Sequence, residues 1–260
     1  MTIPVSDQVF IIAGTTGIGG ATAKLAAQQG ARIMAVGRSA ENAQQLQQSI
    51  RSEGGDCIVH AQDLTEPGAE SEVIRKTLEN YGRIDGLFYV AGISGRRWGD
   101  GPLHECTDTG WDTIMNTNLR AMFRLNRACI QHWLESKRPG VILNMASVLG
   151  FSFVAKHFDA VGYAASKGAI IAMSLHAAAT YAKEGIRINV IAPGLVETPM
   201  AQRATQNATI LDFIKHKQPL TQRPLSDVEV AEAALFLLGK QSQVITGVVL
   251  PVDAGWCVSG

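Results

Sequence analysis

Short apolar runs alternate with longer amphipathic segments along the whole of this 260-residue chain. A short continuous apolar run suits a strand covered on both faces, and a longer segment with a 3.6-residue period suits a helix doing the covering. The spacing predicts strands at 8–12, 32–36, 57–61, 85–90, 141–146, 187–192 and 248–252. Between them it predicts helices at 17–29 (closed by Gly30), 40–53, 70–81, 108–136 and 161–184, a short helix at 211–216, and one at 226–239. Ser226 and Glu229 form a capping box for the last. Neither a linker nor a repeat interrupts the series. Such alternation predicts one α/β domain over residues 1–260, a doubly wound parallel sheet of about seven strands (a Rossmann fold).

Composition narrows the function classes. Apolar residues make up 46% of the chain, which excludes an intrinsically disordered protein. Lys+Arg and Asp+Glu both number 23, so no net field recruits nucleic acid or an anionic membrane. No apolar run approaches the length of a bilayer span. The four cysteines, Cys57, Cys106, Cys129 and Cys257, show neither a Cys-x-x-Cys pair nor metal-ligand spacing. They read as reduced thiols, no metal site is expected, and the start lacks a basic segment followed by an apolar one. These features point to the cytoplasm. Segment 161–184 is apolar on most faces, from Ala164 to Ala179, where a sheet-covering helix has one polar face. The second covering surface is expected from another copy of the chain, in a dimer or tetramer.

In an open α/β sheet, ligands lie beyond the carboxyl ends of the strands. The residues with special chemistry fall there in turn. Gly14, Gly17 and Gly19 follow the first strand, Arg38 and Ser39 the second, Asp63 the third, and Ala91-Gly92 the fourth. Ser147 follows the fifth, and Pro193-Gly194 and Thr198 the sixth. The turn Ala13-Gly14-Thr15-Thr16-Gly17-Ile18-Gly19 leads from strand to helix, where glycines let the backbone approach a pyrophosphate held at the helix N-terminus. Tyr163 and Lys167 are spaced i, i+4 and share a helical face. An ammonium near a phenol favours the phenolate, which suits acid/base work on a carbonyl or alcohol oxygen.

Together these residues resemble the short-chain dehydrogenase/reductase family, in its single-domain branch, over nearly the whole chain. The family's Gly-rich turn resembles Ile12 to Gly19, its catalytic Ser matches Ser147, its Tyr-x-x-x-Lys pair matches Tyr163 and Lys167, and its catalytic Asn matches Asn118. Its Pro-Gly-x-x-x-Thr segment matches Pro193 to Thr198, and its adenine-contacting Asp matches Asp63, beside Leu64. Four departures stand out. Ala13 replaces the first glycine of the turn. Tyr89-Val90 replaces the Asn-Asn before Ala91-Gly92. Ser147 and Tyr163 are further apart than is usual, and Asp253-Ala254-Gly255 replaces Asp-Gly-Gly.

The resemblance implies hydride transfer between a nicotinamide and a carbonyl or alcohol carbon. Tyr163 would exchange the oxygen-bound proton and Ser147 would hold that oxygen. Lys167 would hold the ribose and lower the Tyr163 pKa, and Asn118 would position a water in a proton relay. Thr15, Thr16, Ile18 and their glycine neighbours would hold the pyrophosphate, and Val196 and Thr198 the carboxamide. Gly37-Arg38-Ser39 places a cation, and no carboxylate, where an acidic residue would select NAD. This favours NADP(H), with NAD(H) the alternative. Three segments, 94–104, 148–162 and 195–218, are expected to line the substrate pocket. They offer Trp98, Phe151, Phe153 and Phe158, with Arg96, Arg97, Lys156 and His157 among them. An apolar or aromatic ketone fits, or one with an acidic tail such as an acyl-carrier phosphopantetheine. The 3-oxoacyl-carrier-protein reductases are similar in length and motif order. The alternatives are an NAD-dependent alcohol or diol dehydrogenase working oxidatively and, outside enzymes, a cofactor-sensing binding protein.

Overall fold

The computed structural model describes residues 5–154 and 157–259. Among them, seven parallel strands form one sheet: β1 (Val9–Ala13), β2 (Arg32–Gly37), β3 (Asp56–Ala61), β4 (Gly86–Tyr89), β5 (Gly140–Met145), β6 (Ile186–Pro193) and β7 (Val249–Val252). Their order is β3-β2-β1-β4-β5-β6-β7, so the winding reverses between β1 and β4, and a crevice opens above their carboxyl ends.

The apolar strands are continuous because both faces of the sheet are covered, and their two-residue period divides the core in two. Phe10, Ile12, Ile33, Phe88 and Leu143 face helices α1 (Gly17–Gln28) and α9 (Asp227–Leu238), meeting Ala23, Ala26, Val230 and Ala234. Ile11, Met34, Leu87 and Ile142 face the other way, against α3 (Ala69–Tyr81), α5 (Ala121–Ser136) and α6 (Val161–Tyr181), meeting Val73, Leu125, Trp133 and Ile170. Helix α2 (Ala40–Ser52) packs Leu46 and Ile50 beside β2 and β3. A third, smaller core of Val148, Leu195, Ile210, Ile214 and Trp256 lies under the loops at the carboxyl ends.

Three elements differ from the sequence expectation. The predicted helix 108–136 is α4 (Asp108–Ile114) and α5 joined by a π-helical stretch, Met115–Arg120. The stretch contains Asn118, whose side chain is held from outside the helix. The predicted helix 211–216 is the longer α8 (Ala208–Lys217), preceded by the four-residue α7 (Gln202–Thr205). Asn207 starts α8 early, because its Oδ1 accepts from the amides of Thr209 and Ile210 at 3.0 and 3.1 Å. The helix 161–184 ends at Tyr181 and tightens into a 3-10 turn at Ala182–Glu184. At α9 the expected capping box between Ser226 and Glu229 is formed.

Candidate active site

A cleft of about 430 Å³ opens at the carboxyl ends of the strands. One side is the turn from β1 into α1. Gly14 has φ +136° and Gly17 φ +52°, conformations that side chains disfavour. A Cβ on Gly19 would run into the Gly14 carbonyl, so the turn can close this tightly only with glycine there. Thr16 stands at the N-cap of α1 without a capping side-chain bond, which leaves the first-turn amides of the helix to an outside acceptor. This cradle fits an anionic phosphate group. Ala13 is buried at the end of β1, and the Gly14 amide donates to Val36 at 2.8 Å.

Ala91 and Gly92 close the floor, with the Ala91 amide donating to the Ala13 carbonyl at 2.7 Å. Asn118 is fully buried beneath them. Its Oδ1 accepts from the Ile93 amide at 2.8 Å, and its Nδ2 donates to the Ile93 carbonyl at 3.0 Å and to Ser166 at 3.2 Å. The π-helical stretch thus clamps β4's exit to the second turn of α6. An added Cβ on Gly92 would lie 3.0 Å from Asn118 Oδ1 and 3.8 Å from Lys167 Nζ, so the floor brings these two side chains close together.

Ser147, Tyr163 and Lys167 all line the same cleft. Ser147 Oγ accepts from the Leu149 amide at 3.2 Å, leaving its own hydrogen to donate elsewhere. Lys167 is buried, and its Nζ donates to the Met145 carbonyl at 2.9 Å and lies 5.5 Å from the centre of the Tyr163 ring. Burial pushes the Lys167 ammonium down to about 8. The sequence reading has Lys167 lowering the Tyr163 pKa. In the structure burial is the larger influence and raises the phenol above its ordinary value, while a hydrogen bond with Ser147 opposes the rise. The resting phenol is therefore protonated and able to donate. Asp100 holds this helix at its start: Oδ1 accepts from the Gly162 amide at 2.8 Å and Oδ2 from the Tyr163 amide at 3.0 Å.

Gly14, Thr16, Gly17, Ile18, Ala91, Gly92, Pro193, Gly194, Val196 and Thr198 also line the cleft. Thr198 faces Gly17 so closely that a Cβ there would lie 3.0 Å from the threonine methyl. Thr15 turns toward the end of β2, where a Cβ on Gly37 would lie 2.7 Å from its hydroxyl. Arg38 and Ser39 are exposed beside it, and the Ser39 hydroxyl accepts from the Asn42 amide as the cap of α2. Asp63 Oδ1 accepts from the amide and hydroxyl of Thr65, and Leu64 is buried. These last residues follow the carboxyl ends of β2 and β3 and are not among the residues that line the cleft.

The aromatic residues expected at the substrate end divide. Phe158 lines the cleft, whereas Phe151 and Phe153 are exposed, and Trp98 stacks under the Arg97 guanidinium at 4.0 Å. Lys156 lies outside the described residues. Met200 and Arg203, within the expected segment 195–218, also line the cleft, and so does Trp256, which sequence reasoning missed. Trp256 follows β7 just as Ser147 follows β5, so the strand-end rule applied to the last strand points to it. Among the described residues, no group of three or more His, Cys, Asp or Glu could hold a metal ion.

A family model described as enoyl-(acyl carrier protein) reductase matches residues 12–257. The chain is 32% identical to a 3-oxoacyl-[acyl-carrier-protein] reductase of Thermotoga maritima, over 95% of this chain and 97% of that one. It is 31% identical to a 2,5-dichloro-2,5-cyclohexadiene-1,4-diol dehydrogenase of Sphingobium indicum, over 96% and 95%. Among solved structures it resembles a putative 2-deoxy-D-gluconate 3-dehydrogenase of Agrobacterium tumefaciens with bound NADP. The TM-score is 0.87 at 26% identity, over 98% of both chains.

Proposed function

The chain belongs to the short-chain dehydrogenase/reductase family, and on that premise we propose that it is an NADPH-dependent ketoreductase. At the level its relatives share, it is an NAD(P)-dependent oxidoreductase acting on CH–OH and C=O groups. The observation that carries the finer reading is the half-buried Tyr163 phenol, held above its ordinary pKa by desolvation, in the same cleft as a glycine cradle for phosphate. When bound, the nicotinamide supplies the hydride. Tyr163 gives its proton to the substrate oxygen, and the Ser147 hydroxyl, bonded to Tyr163 before substrate arrives, turns to hold that oxygen. Lys167 holds the ribose hydroxyls and favours the phenolate that proton transfer leaves behind. Both amide hydrogens of Asn118 are already committed, so Asn118 serves a relay water through a carbonyl oxygen. Gly14 to Gly19 hold the pyrophosphate, Asp63 and Leu64 the adenine, Ala91 and Gly92 the close approach below it, and Pro193, Gly194, Val196 and Thr198 the carboxamide side.

Arg38, Ser39 and Thr15 select NADPH, since a guanidinium and hydroxyls suit a 2′-phosphate and no carboxylate stands at Gly37-Arg38-Ser39 to take a 2′-hydroxyl. A structural neighbour with bound NADP supports this choice. The second reading, an NAD-dependent alcohol or diol dehydrogenase, is favoured by the diol dehydrogenase relative. NADPH consumption with a panel of neutral ketones tests the first reading. Turnover is expected. A protein that turns over only with NAD⁺ and alcohols establishes the second, and one that binds cofactor without turnover in either direction is a sensor.

We also propose a cytoplasmic homo-oligomer, a dimer or homotetramer. Among the described residues no helix is long and apolar enough to cross a membrane. Phe123 and Leu134 of α5 and Leu175 of α6 are exposed, and a groove of about 510 Å³ runs between these helices. Light scattering at micromolar concentration should give a multiple of 27.8 kDa. A monomeric mass sinks the proposal.

A further inference from the structure

The substrate end of the cleft carries more positive charge than the proposed chemistry uses. Arg96, Arg97 and Arg203 line it together with Lys167, and no Asp or Glu does so among the described residues. In a chain with zero net charge this is a local concentration, not a general basicity.

Two of the guanidiniums are brought together by one oxygen. The His157 carbonyl accepts from Arg96 at 3.4 Å and from Arg203 at 3.2 Å. His157 has φ +75°, a left-handed conformation that costs energy in a residue with a side chain. Partial desolvation and the Arg96 charge beside it push the largely exposed Arg203 below its ordinary pKa, and Asp159 opposes them. Among the described residues the one carboxylate in ion-pair contact with either is Asp159, 3.2 Å from Arg96 and partly exposed. Asp159 supplies a single negative charge to these two guanidiniums, so the mouth keeps an excess of positive charge that suits an anion.

A third donor borders the same space. Trp256 is buried and lines the cleft, and its indole N–H has no acceptor among the described residues. A buried donor without a partner is costly. Around it, Phe158 and Phe213 pack edge-on at 5.5 and 5.9 Å between ring centres, making an apolar wall.

We propose that Arg96, Arg203 and the Trp256 indole form an oxyanion subsite, and that the substrate is a carbonyl compound with an apolar or alicyclic body and a carboxylate or phosphate. Arg97, stacked on Trp98, adds charge at the rim. The subsite rests on the ketoreductase reading and names its substrate class. Guanidinium forks bind carboxylate and phosphate alike, through paired charge-assisted hydrogen bonds.

The test compares matched ketones with NADPH: cyclohexanone against 4-oxocyclohexanecarboxylate, acetophenone against 4-acetylbenzoate, and dihydroxyacetone against its phosphate. The charged member of at least one pair should have a kcat/KM higher by about tenfold or more, about 1.4 kcal/mol. Preference within the first two pairs identifies a carboxylate, and preference confined to the third a phosphate. Arg96→Met and Arg203→Met should each shrink the preference, and the double variant should bring the pair to parity. Equal or better use of every neutral member overturns the subsite and leaves the ketoreductase reading standing. No turnover of any member overturns that reading, and the subsite falls with it. A preference that survives in the double variant overturns the assignment to these arginines.

Discussion

The two ends of the cleft are built on different principles. The cofactor end is made of backbone: Gly14 and Gly17 in left-handed conformations, Gly19 against the Gly14 carbonyl, Gly17 against Thr198. Each contact lies next to a strand end and depends on the absence of a side chain. The substrate end is made of side chains from distant segments: Arg96 after β4, Phe158 before α6, Arg203 in α7 and Trp256 after β7. The first construction tolerates almost no substitution and holds the part of the reaction that every substrate shares. The second can exchange one side chain for another without disturbing the sheet. The proposed catalytic pair, Tyr163 and Lys167, sits at the junction, on α6, whose N-terminus Asp100 clamps to the loop after β4.

The largest expected effect lies at that junction. Tyr163→Phe removes the proton donor and leaves the backbone cradle intact, so ketone turnover should fall by about 10²–10⁴-fold while NADPH affinity stays nearly unchanged. Steady-state rates and a fluorescence titration on the same preparation separate the two quantities. Retained turnover breaks the assignment of Tyr163.

Gly19→Ala attacks the cofactor end alone. Its Cβ meets backbone that cannot yield cheaply. The clash should cost about 1–3 kcal/mol of stability, the scale of a small-to-large change in packed surroundings, read as a lower thermal transition, and NADPH affinity of the folded protein should drop as well because the turn is forced open. Unaltered affinity would mean that the turn is not the phosphate cradle.

Asp100→Ala attacks the link between the two ends. It leaves two amides at the start of α6 without their acceptor, a cost of about 1–3 kcal/mol, measurable as a lower urea midpoint. If the clamp also positions Tyr163, kcat should fall more than KM changes. Asp100→Asn, which keeps one acceptor oxygen, should recover part of both losses.

The smallest effect is a pH limb. Burial holds Lys167 near 8 in the cofactor-free protein, so its positive charge is present below that pH and lost above it. The kcat/KM for NADPH reports the free enzyme and should decline as pH rises through about 8. Lys167→Arg, charged at every accessible pH, should move the decline upward.

The contrast between the two ends also explains what the sequence alone could tell. The seven strands, the order of elements and the cofactor end were legible because each depends on neighbours in the chain. An apolar run reads as a covered strand, and a glycine after a strand reads as a close approach. Asn118 could be found by resemblance, but not the π-helical stretch that carries it, since the hold on its side chain comes from Ile93 and Ser166. The Tyr163–Lys167 spacing was visible, but not the desolvation that raises the phenol or the burial of Lys167. Trp256 escaped, and Arg203 was expected only as part of segment 195–218, because the folded loops alone bring them to Phe158 and Arg96. Phe151 and Phe153 were expected in the pocket on hydrophobicity alone, and the loop after β5 turns them outward.

Parallel titration of the purified protein with NADPH and NADH, followed by nicotinamide fluorescence, tests the central claim most directly. The account predicts NADPH binding tighter by at least about tenfold, about 1.4 kcal/mol, and predicts that Arg38→Asp abolishes or inverts that preference. Tighter binding of NADH, or binding of neither cofactor, would contradict it.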